Sequence, residues 1–380
     1  MKDNRFESLL ADGFAERMAH EYLDTMEEEL ASGLFDEKYM RWAHSEGFYA
    51  ISAYSYNLTP ETVNDYVSDY DFCRMWPLNG WQRIWINDKL TLKYMLAKTP
   101  CDKYMPKYYY YSEPTRLVPG PDCTEDATAD GFVRTLQAVG EFACKPCNGA
   151  MAVGFHKLAY ADGAFTIDAQ PASADDIKDF ALTHPNYVFT EFLYPAPELA
   201  KIDPLIHTIR AIVINPDGVS PHLIADYLRF SVGADKSGST PNYQIPSKAD
   251  ICSLNAYIDL TTGHFGEAKL VYPAHVESCP LHPDSGAPVE GTIACWPDVL
   301  KMINDIALAL GPVEYLGFDI GITPDGPKIM EINSHSGVQY LQLFRPLLKD
   351  PLTADYYGKK LAAINALSKE QKAARNGIRR

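Results

Sequence analysis

The sequence predicts an α+β protein, and three patterns indicate this class. Apolar residues recur at helical spacing in the first 45 residues and again near the C-terminus. From about residue 140 onwards, short apolar runs alternate with turn residues such as Asn215-Pro216-Asp217-Gly218, which is typical of antiparallel hairpins. The helices are segregated between these hairpins, and that arrangement favours an α+β architecture.

Composition places the chain among globular proteins and excludes some partners. The 380 residues are 46% hydrophobic and 22% charged, which allows a sizeable core and, as a prior, two or three domains. The formal net charge of −16 argues against nucleic acid or an anionic membrane as partner. No apolar run approaches the roughly 18–20 residues that span a bilayer, and the first residues lack a signal-peptide core. We therefore expect a cytoplasmic protein with no nucleic-acid and no membrane partner.

Periodicity and cap residues predict helices in the first third of the chain. Residues 1–45 place apolar side chains at helical spacing, with acids on the other face. Residues 46–85 are rich in aromatic side chains, with a helix start at Thr59. A short amphipathic helix is expected over 88–98, and a strand over the aromatic run 107–111.

Strand signals sharpen after residue 140, where apolar runs are bounded by glycine-containing turns. Single strands are expected at 141–146, 151–160, 164–170 and 187–194, and hairpins at 207–230, 251–272 and 313–333. Helices are expected at 174–182, at 298–310 and from 353 onwards, and loops at 241–250 and 273–292.

The last hairpin carries two carboxylates and an amide that predict a metal site. If its turn centres on Asp325, Asp319 lies opposite Glu331, and Asn333 projects from the same face about 7 Å further along. Two carboxylates and an amide oxygen are hard ligands that suit Mg²⁺. The alternative is a hairpin whose acids merely face water. Apolar neighbours argue against it because they predict a half-buried ribbon: Leu316, Phe318, Ile320, Ile329, Met330 and Ile332.

Two further patterns are weak when taken singly. Lys145 lies in an apolar strand before the small-residue turn 148–150, whose backbone N–H groups can approach an anion. Glu191 lies near the end of a predicted strand and Glu198 follows seven residues later, which are positions suited to an adenine edge and a ribose. A helix cap is an equally good interpretation of Glu198.

Two arginines and two cysteine-containing motifs are further candidates for a functional site. Arg210 and Arg229 lie on opposed strands of one predicted hairpin, and arginines in apolar strands need anionic partners. The alternative is a buried ion pair, for instance with Asp226. The Cys-x-x-Cys at 144–147 and the Cys-x-x-His at 279–282 would allow a zinc site, but buried thiols and a loop are the favoured interpretation.

The order of these parts resembles the ATP-grasp superfamily. In chain order they are Asn87-Asp88-Lys89, Lys145-Pro146 with its glycine turn, Glu191 and Glu198, Arg210, and Asp319 with Glu331 and Asn333. The spacing is similar to that of D-alanine–D-alanine ligase, and the sugar-transfer-associated ATP-grasp group is more similar still. The resemblance runs from about residue 87 to 345 and is most specific in the segments GFDI and GPKIMEIN within 317–333.

The resemblance implies an ATP-grasp fold, in which two α+β subdomains clasp ATP, after a helical, aromatic-rich N-terminal region. We expect the N-terminal region over 1–86, the ATP-grasp N-terminal and lid subdomains over 87–195, and the C-terminal domain with the metal site over 196–380. The first 85 residues do not resemble the βαβ domain of the classical ligases. The stretch 231–242 also differs from the acidic-Asn-Gly-Gly stretch of the closer group, so the substrate stays open.

The resemblance assigns nucleotide and metal roles to residues spread along the chain. The residues implied for the phosphates, the adenine and the ribose are Lys89, Lys145, Asn148, Gly149, Glu191, Phe192, Leu193 and Glu198. Those implied for Mg²⁺ are Asp319, Glu331 and Asn333, with two ions expected. The implied cofactors are therefore ATP and Mg²⁺.

Catalytic and substrate residues follow from the same resemblance. Arg210 and Arg229 would neutralise the transferred phosphoryl group, and His335 would take the amine proton because an ordinary histidine titrates near neutral pH. A hydrogen bond from His335 to Glu331 or Asn333 is an equally good interpretation. The expected substrate-binding residues are Ser336, Gly337 and Gln339.

The implied function is an ATP-dependent carboxylate ligase. Such an enzyme activates a small carboxylic acid as an acyl phosphate, joins it to an amine or another nucleophile, and releases ADP and phosphate. Two alternatives stay open: a small-molecule kinase, which releases no free phosphate, and a non-catalytic nucleotide-binding protein. The expected partners are the small-molecule carboxylate and amine. A homodimer is also considered, because Phe48, Tyr49, Tyr54 and Tyr56 would offer an aromatic contact surface.

Overall fold

The computed structural model describes residues 2–149, 153–233 and 253–375, and its first hundred residues are mainly helical. The helices are α1 (Lys2–Asp12), α2 (Glu16–Ser32), α3 (Glu37–Ser45), α4 (Ala50–Ser55), α5 (Asp69–Arg74), α6 (Ile84–Asn87) and α7 (Lys89–Leu96). The side chains of Asp36, Ser68 and Asp88 accept hydrogen bonds from the first-turn N–H groups of α3, α5 and α7. The helices predicted for 1–45 and 88–98 are thus confirmed.

The helix start expected at Thr59 is wrong. Residues 59–62 form a turn, followed by a single 3₁₀ turn over Val63–Asp65. The Thr62 hydroxyl accepts a hydrogen bond from the Thr59 N–H at 3.0 Å. This side chain therefore closes a local turn, which continues into the 3₁₀ turn and not into an α-helix.

Among the described residues, one antiparallel sheet has seven strands in the order β2-β1-β7-β3-β4-β5-β6. They are β1 (Tyr108–Glu113), β2 (Arg116–Pro119), β3 (Glu141–Pro146), β4 (His156–Ala161), β5 (Ala164–Ile167), β6 (Gln170–Ala172) and β7 (Tyr187–Glu191). Helices α8 (Ala129–Val139) and α9 (Ala174–Thr183) contribute Phe132 and Ile177 to an apolar core with Phe142 and Phe189 of this sheet.

Three predicted strands of this sheet are shorter than expected. Of the strand expected over 151–160, residues 151 and 152 lie outside the described residues, and the described part begins at His156. The strand expected over 164–170 is broken at Asp168 and Ala169, whose φ angles of 50° and 64° turn the chain into β6. The strand expected over 187–194 ends at Glu191. The remaining predictions for this region, at 107–111, 141–146 and 174–182, are confirmed within one or two residues.

The second antiparallel sheet has eight strands within the described ranges and contains all three predicted hairpins. They are β8 (Thr208–Ile214), β9 (His222–Phe230), β10 (Ser253–Ile258), β11 (His264–Val271), β12 (Val276–Ser278), β13 (Gly291–Thr292), β14 (Tyr315–Thr323) and β15 (Gly326–Asn333). The order along the sheet is β12-β11-β10-β9-β8-β14-β15, with β13 paired to β11. The expected loop 273–292 therefore includes two short strands, and the loop expected at 241–250 lies outside the described residues.

The second sheet is buried on both faces. One face packs Ile209 and Phe318 against Trp296 and Ile306 of α11 (Trp296–Ala309). The other face carries Tyr315 and packs against residues of the N-terminal region and of the C-terminal helices. The remaining helices are α10 (Pro197–Ala200), α12 (Gln339–Gln342), α13 (Pro351–Asn365) and α14 (Lys369–Arg375). The helices predicted at 298–310 and from 353 are confirmed.

Asn79 joins the N-terminal region to the second sheet. Its side-chain amide donates to the carbonyls of Tyr315 (2.7 Å) and Ser334 (3.1 Å), and its oxygen accepts from the N–H groups of Glu314 (2.9 Å) and Tyr315 (3.0 Å). All hydrogen-bonding positions of this buried amide are used. The N-terminal region is therefore fastened to the start of β14 and to the residue that follows β15.

The aromatic contact surface expected in the N-terminal region is largely absent from the described surface. Phe48, Tyr49 and Tyr56 are buried and belong to apolar cores, whereas Tyr54 is exposed. These aromatic side chains fill the space between short helices, because such helices cannot bury enough surface with small residues. Within the described ranges, no helix combines the length and apolar content that a bilayer crossing requires.

Candidate functional site

The β14–β15 ribbon places Asp319 directly opposite Glu331 and Gly317 opposite Asn333, which confirms the predicted register. The turn is nevertheless tighter than expected, since Thr323 pairs with Gly326. A β-bulge next to Asp319 shifts the pairing by one residue, so that Ile320 lies opposite Ile329. A regular ladder from that turn would place Met330 opposite Asp319, so the bulge brings the two carboxylates together.

The two carboxylates and the amide of the ribbon converge. The Asn333 amide nitrogen lies 3.1 Å from Oε1 of Glu331 and 3.4 Å from Oδ2 of Asp319. This arrangement fits a hard cation, since all three side chains carry oxygen donors and the carboxylates already share one polar neighbour. The Asn333 amide would have to turn its oxygen towards such an ion.

Burial and neighbouring charges move the two carboxyl groups in opposite directions. Burial raises the pKa of Asp319, and the negative charge of Glu331 raises it further. The positive charge of Arg210 acts in the opposite direction but does not outweigh burial. Burial also disfavours ionised Glu331, but the Lys89 ammonium and the Asn333 amide outweigh it and lower its pKa. A divalent cation would favour the ionised form of both groups.

Arg210 lies opposite Asp319 on the neighbouring strand β8. Its guanidinium donates to both carboxylate oxygens of Asp319, with 3.0 Å between Nη2 and Oδ2, and to the Ser336 hydroxyl at 2.9 Å. The anionic partner of Arg210 is therefore Asp319. The alternative of an ion pair with a buried carboxylate is therefore confirmed for Arg210. The partner named as an example, Asp226, is wrong, because Asp226 is paired with Arg345 at 3.3 Å.

Gly317 makes room for this contact. A Cβ atom at position 317 would lie 2.1 Å from the Ser336 hydroxyl oxygen and 2.4 Å from the Ser336 Cβ. Any larger residue would displace Ser336, so the glycine allows the loop after β15 to close over the strand.

Lys89 connects the ribbon to the glycine turn. Its ammonium lies 3.2 Å from Oε2 of Glu331 and donates to the carbonyl of Gly149 at 2.9 Å. Its backbone N–H also donates to the Cys147 carbonyl at 2.7 Å. Burial, and next the charge of Lys89, lower the pKa of Lys145 to about 8. Two lysines thus lie close enough to act on each other, as a site for a polyanion requires.

A cavity of about 300 Å³ lies against these groups. Its lining includes six of the predicted residues, namely Lys89, Asn148, Gly149, Glu331, Asn333 and His335. It also includes Arg17, Trp76, Ile86, Asn87, Ile332 and Ser334. One cavity therefore joins Lys89 and the glycine turn to Glu331 and Asn333, although these residues lie up to 244 positions apart in the chain. The other predicted phosphate-binding lysine, Lys145, and the metal ligand Asp319 are not among its lining residues.

Comparison with protein-family models matches residues 129–349 to the family described as sugar-transfer associated ATP-grasp. The chain belongs to this family. The match covers more than half of the chain and includes Lys145, Arg210 and the whole β14–β15 ribbon. The predicted resemblance and the α+β ATP-grasp fold are confirmed, with a helical region before the matched segment.

Solved structures of ATP-grasp ligases are similar at low sequence identity. The ATP-grasp ligase PsnB, in complex with a phosphomimetic variant of a minimal precursor, Mg and ADP, is 13% identical with a TM-score of 0.37, over 73% of this chain and 60% of PsnB. D-alanyl-alanine synthetase A from Vibrio cholerae is 12% identical with a TM-score of 0.40, over 73% of this chain and 66% of the synthetase. D-alanine–D-alanine ligase from Bacillus anthracis is 14% identical with a TM-score of 0.36, over 77% of this chain and 70% of the ligase.

The first two of these matches span less than two thirds of the solved proteins. A comparison with curated protein sequences gives no match.

His335 of this ATP-grasp protein does not have the near-neutral pKa that was expected. Its ring stacks on Phe72 with 4.2 Å between centroids, and burial lowers its pKa to about 3. Neither ring nitrogen makes a hydrogen bond within the described part of the chain. The alternative bond to Glu331 or Asn333 is therefore also wrong. His335 lines the same cavity as Glu331 and Asn333, but its ring binds protons too weakly for the predicted role as a base.

The three predicted substrate residues lie in different surroundings. The Ser336 hydroxyl accepts from Arg210, and its carbonyl accepts from the Tyr315 hydroxyl at 2.9 Å. Gly337 is exposed. Gln339 donates to Asp69 at 3.3 Å and lines a separate cavity of about 170 Å³, so the structure does not bring it to the cavity with Glu331.

The residues predicted to hold adenine and ribose lie outside the lining of the 300 Å³ cavity. The Glu191 carboxylate accepts from the Lys107 N–H at 3.1 Å, and Leu193 follows in the segment after β7. The Phe192 ring lies 4.1 Å from the ammonium of Lys157, a buried lysine that sequence reasoning missed. Glu198 is in the first turn of α10, and the helix-cap interpretation is wrong because Ala196 occupies the cap position.

Arg229 contacts groups other than Asp319. It donates to the Tyr227 hydroxyl at 2.9 Å and to Asn255 at 3.4 Å, and its guanidinium lies 5.0 Å from the centre of the Tyr340 ring. Of the two predicted catalytic arginines, Arg210 is the one bonded to a predicted metal ligand. No carboxylate lies within ion-pair distance of Arg229 in the described ranges.

Sequence reasoning also missed Arg17 and Trp76, which line the cavity from the N-terminal region. Arg17 is one charged residue among many in an amphipathic helix, so its spacing carries no signal of a site. Asn87, which ends α6, also lines the cavity and lies two residues before Lys89. Its side-chain oxygen accepts from the Ser334 N–H at 3.1 Å, which holds the residue after β15 against the cavity.

Proposed function

We propose that the protein is an ATP-dependent carboxylate ligase that activates a small acid as an acyl phosphate and joins it to an amine or another nucleophile. The observation that carries this proposal is the convergence of Glu331, Asn333 and Lys89 with the glycine turn at one cavity. Membership of the sugar-transfer associated ATP-grasp family supports the proposal that the nucleotide is ATP. The products would be ADP and phosphate.

Charge neutralisation is the main requirement of the first step. A carboxylate oxygen of the acid would attack the γ-phosphorus, and the bond from that phosphorus to the β–γ bridging oxygen would break, with ADP as the leaving group. Lys89, which lines the cavity, and Lys145, which is close enough to interact with the charge of Lys89, would offset the negative charge of the phosphates. Lys145, whose pKa is lowered to about 8 by burial and by Lys89, would gain its full charge beside a polyanion.

Asp319, Glu331 and Asn333 would hold Mg²⁺, which when bound supplies positive charge beside the phosphates. Arg210 orients the Asp319 carboxylate by contacting both of its oxygens. Lys89 holds Glu331 ionised in the present structure. These two contacts keep the acids in place before any ligand arrives, which lowers the cost of ordering the site.

We further propose that subdomains 87–195 and 196–380 hold the nucleotide between them. Glu191 and the backbone at Phe192 and Leu193 would receive the adenine, and Glu198 the ribose. The Lys157 ammonium above the Phe192 ring marks this region as one where charge and an aromatic face already meet.

In the second step the nucleophile would attack the carbonyl carbon of the acyl phosphate, phosphate would leave, and an amine would lose a proton. A histidine whose pKa is about 3 binds protons poorly at neutral pH, so we do not assign this proton to His335.

The test measures ADP and inorganic phosphate released from Mg-ATP with a panel of acids and amines. The panel covers amino acids, hydroxy acids and uronic acids, each with and without an amine. Release of ADP and phosphate in equal amounts, dependent on an acid, supports the ligase. Release of ADP without phosphate indicates a kinase. Stabilisation by Mg-ATP without turnover on any acid indicates a nucleotide-binding protein, and no response to Mg-ATP contradicts all three.

A further inference from the structure

Two arginines of the N-terminal region meet at one indole beside the cavity. The guanidinium carbon of Arg17 lies 5.5 Å from the centre of the Trp76 ring, and that of Arg83 lies 5.2 Å from it. Arg17 and Trp76 line the 300 Å³ cavity, whereas Arg83 is not among its lining residues and is linked to it through the Trp76 ring. This wall is built from α2 and the segment after α5, whereas Lys89 and Gly149 come from α7 and the glycine turn. Cation–π contact holds both guanidinium groups near the indole.

The positive charge of this wall is poorly neutralised by the protein. Within the described residues no carboxylate lies within ion-pair distance of Arg83, which donates to the Gly80 carbonyl at 3.3 Å. Arg17 is paired with Glu21 at 3.0 Å on the same helix, but the two side chains are 65% and 54% exposed. An exposed pair of this kind contributes little and exchanges easily for another anion. In a chain with a net charge of −16, two weakly neutralised arginines beside a cavity indicate an anionic ligand.

We propose that Arg17 and Arg83, positioned on Trp76, bind a second anionic group of the acid substrate, so that the substrate is a small dianionic acid such as a dicarboxylate. This inference rests on the proposed function, because the other carboxylate of the acid must reach the groups around Glu331 and Lys89. The helical N-terminal region thereby completes the site.

The two anionic groups of such a substrate have different tasks. The reacting carboxylate changes charge distribution when it takes up the phosphoryl group and would lie beside Lys89. The second group stays charged throughout the reaction and would be held equally in the ground state and in the transition state. Interactions of that kind lower KM for the acid and leave kcat nearly unchanged. Arg17 and Arg83 are therefore expected to act as binding residues with little influence on the chemical step.

The experiment uses the full chain loaded with Mg-ADP and a series of dicarboxylates from malonate to adipate. Each dicarboxylate is compared with its own monoamide, which has the same size and one charge fewer. Isothermal titration calorimetry measures binding to the wild type, to Arg17→Gln and to Arg83→Gln. Arg116→Gln serves as the matched control, because Arg116 is an exposed arginine paired with Glu113 in the β1–β2 turn.

We expect at least one dicarboxylate to bind the wild type at least tenfold more tightly than its monoamide. The Arg17→Gln and Arg83→Gln variants should lose this preference, and Arg116→Gln should keep it. Arg17 is mostly exposed, so its replacement is not expected to unfold the protein.

A wild type without preference for any dicarboxylate overturns the proposal, as does a preference that persists in Arg17→Gln and Arg83→Gln. Both results leave the ligase proposal standing, provided that Mg-ADP binds. A wild type that fails to bind Mg-ADP contradicts the ligase proposal itself, and with it the dianion proposal.

Discussion

Arg210 and Asp319 lie directly opposite each other on strands β8 and β14, and the guanidinium contacts both oxygens of the carboxylate. Both groups lie within the second sheet, where a lone charge would be costly. Each group therefore neutralises the other, and the pair orients a carboxylate that we propose as a metal ligand. A metal-binding role can be tested separately at Glu331, because the ion-pair partner of Glu331 is Lys89 and not Arg210.

Replacement of Glu331 by Gln should abolish ATP-dependent release of ADP and should also lower the free energy of unfolding, because the buried ammonium of Lys89 keeps the Gly149 carbonyl but loses its carboxylate partner. Asp319→Asn should abolish turnover as well, and should lower the free energy of unfolding by about 3 kcal/mol because it leaves the largely buried guanidinium of Arg210 without its counterion. Enzyme assays and urea denaturation measure the two effects. Wild-type turnover in the double variant would refute the metal assignment.

The Arg210→Lys variant should need more Mg²⁺ for the same rate. A lysine keeps the positive charge, but its donors share one nitrogen and do not reproduce the planar fork whose three nitrogens contact both Asp319 oxygens and Ser336. Loss of such a supporting contact typically weakens a metal site by about 10–100-fold. The measurement is the Mg²⁺ concentration that gives half-maximal ADP release, with Arg116→Lys as the control. An unchanged Mg²⁺ requirement would show that Arg210 does not position Asp319.

A methyl group at position 317 should destabilise the protein, and a smaller residue at 336 should reverse the effect. The added Cβ would collide with both side-chain atoms of Ser336. Overpacking of this kind costs about 1–3 kcal/mol. The free energies of unfolding of Gly317→Ala, Ser336→Gly and the double variant form a thermodynamic cycle. Additive losses, with no recovery in the double variant, would contradict the close approach of the two residues.

Protonation of His207 should weaken the fold below neutral pH. Burial lowers its pKa to about 3, and Nε2 accepts a hydrogen bond from the Ile322 N–H at 3.0 Å. The unfolded chain binds this proton at about pH 6.5, so the contribution of neutral His207 is complete above that pH and is lost as the pH falls. Between pH 7.5 and 5.5 the loss from this one group is about 1.4 kcal/mol.

Urea denaturation at the two pH values measures this loss in the wild type and in His207→Gln. The other titrating groups are common to both proteins, so they cancel in the comparison. Equal pH dependence in the two proteins would show that His207 does not stay neutral in the folded state.

Local patterns in the sequence were sufficient to predict most of the second sheet and the three proposed metal ligands. The three hairpins were predictable because alternation and turn residues act between neighbours in the chain. Glu331 and Asn333 share a face for the same reason, since residues two apart on a strand point the same way. The opposition of Asp319 and Glu331 was also predicted, although the observed turn and the β-bulge reach it by another route.

Only the tertiary structure decided which distant groups join that ligand set. It placed Lys89 on Glu331, Arg210 on Asp319, and Arg17 with Trp76 in the cavity wall. It also packed His335 on Phe72 and removed its near-neutral pKa. Such contacts depend on how helices pack on a sheet face and on what that packing shields from water. The periodicity of a single sequence shows which residues share a face of one helix or strand. It does not show which other element packs on that face or how far that packing excludes water.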